Sequence, residues 1–319
     1  MNPAPIFLVG STASGKSAVA LALAERLGGE IISVDSMQVY RGLDIGTAKP
    51  SLEERSRVPH HLLDVVELTE AFDAAKFVEH ARRAEAEILA RGRTPIFCGG
   101  TGLYFKAYLE GLGDAPPSTP AVRQELEATP LDALLRELQQ RDPITYERID
   151  RQNPRRVIRA LEVIRLTDKP FSAQRANWLR FPPTASPFGP VFGLERSSTD
   201  LHSRINARVD EMFARGLVDE TRQLLAQGLR RNSTAMQAIG YRQVVEHVDG
   251  LLPLKETIEL VKKKSRHYAK RQITWFRRQL AVDWISVEAH EDGVHVAERI
   301  QRRQADALRL DAHRCSYGD

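Results

Sequence analysis

Residues 10–17, GSTASGKS, follow the apolar run IFLV and fit the spacing G-x-x-x-x-G-K-[ST]. The backbone N–H groups of such a Gly-rich turn, with the N-terminus of the helix that follows, make a concave positive site for phosphate. The candidate cradle is therefore Gly10, Ser11, Thr12, Ala13, Ser14, Gly15, Lys16 and Ser17. Lys16 adds a point charge on the phosphate oxygens, and Ser17 offers its hydroxyl to a Mg²⁺. The spacing does not say whose phosphates are held. Asp35, at the end of the run EIISV, is the second candidate. A carboxylate there fits three roles. It could hold Mg²⁺, cap the segment that follows, or serve as a general base near the bound phosphate, a role worth roughly 10²- to 10⁴-fold in rate. Spacing alone leaves the three open.

These residues need a scaffold that brings strand ends together. IFLV before Gly10, EIISV before Asp35 and TPIFC before Gly99 are short, rich in β-branched and aromatic residues, and followed by helix-like sequence. That pattern predicts strands of a parallel sheet covered on both faces. Residues 15–27 carry apolar positions at helical spacing and stop at Gly28-Gly29. In such sheets ligands sit beyond the carboxyl ends of the strands, so Asp35 and the GGTGLY turn should open onto the same crevice as the Gly-rich loop. The fold class expected is α/β, a P-loop NTPase-like parallel sheet flanked by helices, interrupted by a helical insertion domain.

The insertion is expected over residues 117–184, leaving 1–116 and 185–319 as the core domain. TPLDALLRELQQRD and NPRRVIRALEVIRLTDKP are its clearest helices, the second opened by Asn153 as N-cap and Pro154 in the first turn. Residues 191–194 form a further strand. Helices fill most of the remainder, and the tail after about Asp311 reads as disordered.

With 42% hydrophobic and 28% charged residues in 319, the composition is that of a globular chain. No run approaches the roughly 18 to 20 apolar residues that span a bilayer, and the N-terminus has no basic region before its short apolar run. The expectation is a cytoplasmic protein. Cys98 and Cys315 cannot build a disulfide framework or a zinc site, and adjacent His60 and His61 diverge on any regular element, which argues against a metal pair. The net charge is only +4, but residues 262–278, KKKSRHYAKRQITWFRR, hold eight Lys or Arg and no acid, a density that favours a polyanion partner. Val261, Tyr268 and Trp275 recur there every seven residues and read as a core stripe. Lys263, Arg266, Lys270 and Arg277 lie on another face, where phosphate contact is plausible.

SVDSMQVYRGLDIGTAKP, together with GSTASGKS, GGTGLYFKAYLEGL, RRVIRALEV, IGYRQ and KRQITWFRR, resembles the tRNA dimethylallyltransferases (tRNA isopentenyltransferases), in the short bacterial-type form. The resemblance runs from about residue 6 to 287. It implies transfer of a dimethylallyl group from dimethylallyl diphosphate to N6 of the adenosine at tRNA position 37, with a P-loop core and an insertion domain clasping the anticodon stem-loop. The chain would work as a monomer. The Gly-rich loop would then grip the diphosphate of an allylic donor, with Mg²⁺, rather than a triphosphate.

By the same resemblance Asp35 is the general base for the N6 proton. Thr12 and Thr101 line the junction of donor and acceptor sites, and Arg208 of RINAR helps position the diphosphate. Asp35, Ser36, Met37 and Gln38 contact the RNA, Gln38 as an amide reader of the base. Arg123, the segment Arg155, Arg156, Val157, Ile158 and Arg159, and the segment Gln237, Ala238, Ile239, Gly240, Tyr241 and Arg242 match other tRNA-contacting positions. Ser11 stands where the family usually has Pro, which leaves the phosphate-binding pattern intact.

Two other classes use some of these features. A P-loop kinase of small metabolites explains GSTASGKS equally well but not the Arg-rich insertion or KRQITWFRR, since a small acceptor needs no long cationic surface. A non-catalytic RNA-binding module explains the basic patches but not an acid set opposite a phosphate loop.

Overall fold

The computed structural model describes residues 3–174 and 189–315. The chain forms two compact units, residues 1–109 with 180–319 and residues 110–179. The second unit starts at Glu110, ahead of the expected 117, and the expected boundary at 184/185 lies outside the described residues.

In chain order the elements are β1 (Ile6–Gly10), α1 (Lys16–Leu27), β2 (Glu30–Val34), α2 (Leu52–Arg57), β3 (His60–His61), α3 (Ala74–Ala90), β4 (Pro95–Gly99) and α4 (Gly102–Glu110). Then come α5 (Pro120–Ala128), α6 (Leu131–Arg141), α7 (Pro143–Arg148), α8 (Pro154–Thr167) and α9 (Phe171–Gln174). The chain continues with β5 (Val191–Glu195), α10 (Ser198–Ala214), α11 (Leu217–Ala226), α12 (Tyr241–Val248), α13 (Leu254–Gln279), β6 (Asp283–Ser286) and α14 (Gly293–Cys315).

The six strands form one sheet in the order β3-β2-β4-β1-β5-β6, and every pairing is parallel. Side chains alternate between its faces, as period-two geometry requires. Phe7, Val9, Ile32, Val34 and Phe97 enter one core with α3, α4, α11, α12 and Phe276 of α13. Ile6, Leu8, Ile31, Ile96 and Cys98 enter the other with α1 and Val296, Ala297 and Ile300 of α14. Burial on both faces explains why β1, β2 and β4 read as unbroken apolar runs.

Two strands had no sequence signal. β3 is two residues long, and β6 has only Ile285 buried. The tail differs from expectation: α14 continues to Cys315, and residues 316–319 lie outside the described residues. Helix α14 is long because its first half is amphipathic, docking Val296, Ala297 and Ile300 on the sheet.

Every regular element of the second unit, among the described residues, is a helix. Leu126, Leu134 and Leu138 close over Val157, Ile158, Ala160, Leu161 and Ile164 of α8. Asn153 and Pro154 occupy the expected N-cap and first-turn places, although the Asn153 side chain makes no capping bond. Asp142 caps α7 instead, accepting from Thr145 N and Oγ1 at 3.0 and 2.7 Å and from Ser172 N and Oγ at 2.8 and 3.0 Å.

Candidate active site

The register sets the site. Val9 and Val34 both pair with Gly99, and Gly10 pairs with Leu194, so the segments after β1, β2 and β4 leave the sheet at one edge. That edge carries residues 11–17, Asp35 and the Gly100–Thr101 turn together, at the carboxyl ends of parallel strands where ligands bind in open α/β sheets.

The first of these loops turns back on itself through Ala13 at φ 62° and Gly15 at φ 95°, both left-handed, the second a conformation that favours glycine. Gly15 is the N-cap of α1 and supplies no capping side chain, and α1 has no acid in its first turn. Its N-terminal N–H groups are thus left for an external anion. Lys16 Nζ donates to Ser11 O at 3.0 Å, lying back along the loop. Burial holds the Lys16 ammonium below its ordinary pKa; Arg208 adds to that effect while Cys98 and Asp35 act against it.

Arg208 is likewise pushed below its usual value by burial, against the pull of Asp35 and Glu211. Among the described residues it has neither a hydrogen bond nor an ion pair. Lys16 and Arg208 repel each other and share Asp35 as an electrostatic partner, next to a helix N-terminus with no acid of its own, so the site favours an added negative charge.

Asp35 Oδ1 accepts from Met37 N at 2.8 Å and Gln38 N at 3.3 Å. The capping role is therefore real, and it occupies one oxygen; Oδ2 has no hydrogen-bond partner among the described residues. Thr101 ties the two loops, accepting from Ser36 N at 3.1 Å through Oγ1 and donating its own N–H to Val34 O at 3.2 Å. Cys98 lies beneath, its thiol pushed up to about 11 by burial and so neutral near pH 7. Ser17 is exposed on the first turn of α1.

Two residues central to this arrangement went unread in the sequence. Gln272 of α13 accepts from Thr12 N at 2.9 Å and donates to Gly100 O at 2.9 Å. Arg196, after β5, donates from Nε to Ser14 O at 2.8 Å and from Nη1 to Asp200 Oδ2 at 2.8 Å and Glu288 O at 2.9 Å. The only sequence signal for Gln272 was an uncharged amide at helical spacing from Tyr268 and Trp275 inside a basic run. That stripe is partly core, with Val261 buried and Trp275 packed on the sheet core. Trp275 also covers Gly102, where a Cβ would lie 2.1 Å from its ring. Tyr268 lies close enough to Asp35 for burial and that charge together to raise its phenol pKa.

The expected RNA-contacting segments divide. Gln38 uses its whole amide internally, Oε1 on Ser33 Oγ at 2.9 Å and Nε2 toward Thr47 O and Ala48 O at 3.2 and 3.4 Å, so reading a base would require breaking these bonds. Met37 is half-buried against the core. Val157 and Ile158 belong to the core of the second unit, and Ala238 and Tyr241 to that of the first. These four side chains are taken up in packing, which leaves the exposed neighbours and the main chain of each segment to face a partner.

Tyr241 Oη donates to Glu220 Oε1 at 2.6 Å and accepts from Gly46 N at 3.1 Å. Gly240 is buried at φ 104°, while Ile239 is half-buried. Gln237 and Arg242 are exposed, as are Arg155 and Arg156 of α8. Arg159 is half-buried on Glu162 at 2.8 Å and Pro116 O at 2.7 Å, and Arg123 pairs with Glu127 at 3.0 Å. On α13, Arg266 bonds Asn206 and Arg277 pairs with Glu195, whereas Lys263 and Lys270 are exposed.

The chain is similar to known proteins over almost its whole length. It is 45% identical over 302 residues to tRNA dimethylallyltransferase 1 of Trichlorobacter lovleyi, covering 93% of this chain and 98% of that one. It is 46% identical over 312 residues to the tRNA dimethylallyltransferase of Geobacillus kaustophilus, covering 96% and 98%. The solved structure of the full-length tRNA isopentenylpyrophosphate transferase of Bacillus halodurans superposes with a TM-score of 0.70 at 39% identity, covering 98% of this chain and all of that one. A eukaryotic dimethylallyltransferase, solved acting on tRNA, gives a TM-score of 0.71 at 28% identity, covering 90% and 74%. A family model described as IPP transferase matches residues 38–279, a span that takes in Gln38, Thr101, Arg208 and Gln272, and the chain belongs to that family.

Proposed function

We propose that this chain transfers the dimethylallyl group of dimethylallyl diphosphate to N6 of adenosine 37 in tRNA, releasing diphosphate. The observation that carries the reading is the uncapped Gly-rich turn, with Lys16 folded back along it, at the same strand-end edge as Asp35, which keeps one carboxylate oxygen free and lies within electrostatic reach of both Lys16 and Arg208. An adenine amino group is a weak nucleophile because its lone pair is delocalised into the ring. The bond from the donor's C1 to diphosphate oxygen must therefore stretch before attack, and charge builds on the departing diphosphate. The loop N–H groups, Lys16 and Arg208 stabilise that charge without reorganising, the largest single contribution in many enzymes.

As the C1–N6 bond forms, the C1–O pair leaves with the diphosphate and the N6 proton passes to Asp35. Its Oδ1 stays on the Met37 and Gln38 amides, which holds the carboxylate in place and leaves Oδ2 to take the proton. The adenosine must be extruded from the anticodon stack to reach this point, at a cost of a few kcal/mol. Exposed Arg155, Arg156, Gln237, Arg242, Lys263 and Lys270 suit the RNA backbone and loop.

The residues present also suit Mg²⁺ of one kind. Among the described residues no group of three or more His, Cys, Asp or Glu could cage a metal. Mg²⁺ keeps most of its water and rides on substrate phosphates, needing few protein oxygens, and the exposed Ser17 hydroxyl beside the cradle is one such oxygen. When bound it would supply further neutralisation of the diphosphate.

The test is incubation with unmodified tRNA, Mg²⁺ and labelled dimethylallyl diphosphate, in parallel with labelled ATP and small hydroxyl acceptors. Label is expected in the RNA at adenosine 37. Turnover of ATP with no prenyl label in RNA would overturn the reading.

A further inference from the structure

Gln272 is buried, 7% exposed, and sits on the helix that carries the densest run of positive charge in the chain. Its amide joins two loops that are far from it in sequence. Oε1 takes the Thr12 N–H of the phosphate loop and Nε2 gives to Gly100 O of the β4–α4 turn, each at 2.9 Å. The path continues from that turn: Thr101 N donates to Val34 O, Thr101 Oγ1 accepts from Ser36 N, and Met37 N donates to Asp35. A continuous series of bonds thus runs from the phosphate loop through Gln272 to the carboxylate.

The fit around the amide is close. A Cβ at Gly100 would lie 2.2 Å from Gln272 Nε2, so glycine leaves the amide room for the position it takes. One turn later on α13, Trp275 closes over Gly102 in the same manner. Both of these bonds leave its own helix, on which the amide also meets the Tyr268 hydroxyl one turn earlier. A side chain needed only to fill space could be apolar there, since a buried amide must find both partners or destabilise the fold.

We propose that Gln272 is a positioning residue for the transfer: it fixes the distance between the loop that holds the leaving diphosphate and the turn that, through Thr101, holds Asp35. The inference rests on the function proposed above. Its bonds are to main-chain atoms of both loops, so its loss should leave donor and RNA binding in place and disturb their mutual alignment. Misplacement of reacting groups by about 1 Å costs on the order of a hundredfold in rate.

The experiment compares wild type, Gln272→Met, Gly100→Ala and the double variant by single-turnover transfer, with tRNA affinity, KM for dimethylallyl diphosphate and thermal unfolding measured on each. Methionine keeps the length and removes both bonds. Gly100→Ala displaces the amide from the opposite side. Expected for each single variant is a fall in the transfer rate of about tenfold to a hundredfold, with tRNA affinity and donor KM within about threefold of wild type. The double variant should be no slower than the slower single one, because both changes break one link.

A Gln272→Met enzyme that transfers at the wild-type rate would overturn the inference. So would a rate loss matched by equal losses in tRNA affinity and donor KM, or a loss wholly recovered by cooling to a temperature where the variant is fully folded. If wild type itself transfers no prenyl label, it is the proposed function that fails; the inference fails alone only when wild type is active and Gln272→Met behaves like it.

Discussion

The loops at the strand ends and the arginine-rich helix α8 of the second unit both concentrate charged and polar groups, yet they are built in opposite ways. At the strand ends the long-range bonds are made one to one: Thr12 N on Gln272, Ser36 N on Thr101, Ser14 O on Arg196. On α8 and its neighbours the arginines share carboxylates among themselves. Arg159 and Arg123 both address Glu162, at 2.8 and 3.9 Å, and Arg165 spans Glu125 and Glu137 at 2.7 and 2.6 Å. The first arrangement fixes atoms for bond making and breaking. The second maintains a field, which falls off gradually and tolerates the loss of any one contributor.

The sharpest way to break that contrast is at Asp35. Asp35→Asn keeps an oxygen for the Met37 and Gln38 amides, so the turn stays folded while the proton acceptor is lost. The expected result is a fall in transfer of about 10²- to 10⁴-fold, with tRNA affinity unchanged in a filter-binding assay. A drop smaller than about tenfold would make the strand-end site as redundant as the α8 face, and Asp35 would leave the mechanism.

Next in size is Lys16→Met. Loss of one preorganised charge at the leaving group typically costs about 10²- to 10³-fold in the rate of the chemical step. Single-turnover rates at saturating donor are the measurement, since a rise in donor KM alone would mean that Lys16 serves ground-state binding.

How these residues were legible in the sequence follows from the same contrast. The strands β1, β2 and β4 were readable because each is five buried residues ending at a motif. The Gly-rich loop and Asp35 stand out as candidates because the residue types of each fall in neighbouring positions beside a strand end. Gln272 and Arg196 were not, since their partners lie 260 and 182 residues away and only folding brings them together. Edge strand β6 was hidden for a different reason: with Asp283 and Ser286 exposed and only Ile285 buried, it carries too little apolar pattern to stand out from a loop. In the 155–159 segment the resemblance named a stretch, but the helix divided it, taking Val157 and Ile158 for the core and leaving Arg155 and Arg156 outside.

The α8 face should respond in a graded manner. Arg156→Ala removes an exposed cation, so tRNA affinity should fall severalfold and the slope of log K against log salt should lessen by about 0.9 for one lost phosphate contact. The transfer rate at saturating RNA should not change. Arg159→Ala is expected to do this and to lower stability too, because buried Glu162 loses its closest cation. Equal salt slopes for wild type and both variants would exclude this face from RNA binding.

The smallest effect separates the stability of the second unit from its charge. Asp142 is buried, and burial alone would raise its carboxyl pKa; the bonds from Thr145 and Ser172 outweigh that and hold it below the ordinary value. A carboxylate with a depressed pKa in the folded state stabilises at pH above its unfolded value of about 3.9, and that contribution is lost as pH falls through the folded value. Asp142→Asn should therefore cost about 1.5 to 3 kcal/mol at neutral pH, the range for a hydrogen bond to a charged group. The difference from wild type should shrink in acid, where wild type loses the same charge. Hydrogen exchange in α6 and α7, compared at pH 7 and at about pH 3, reads this locally. Transfer at saturating RNA should stay at the wild-type rate, since no donor to Asp142 belongs to the strand-end loops. If exchange instead quickens equally at both pH values, the carboxylate's charge contributes nothing, and the hydroxyl and amide groups around it suffice to hold the cap.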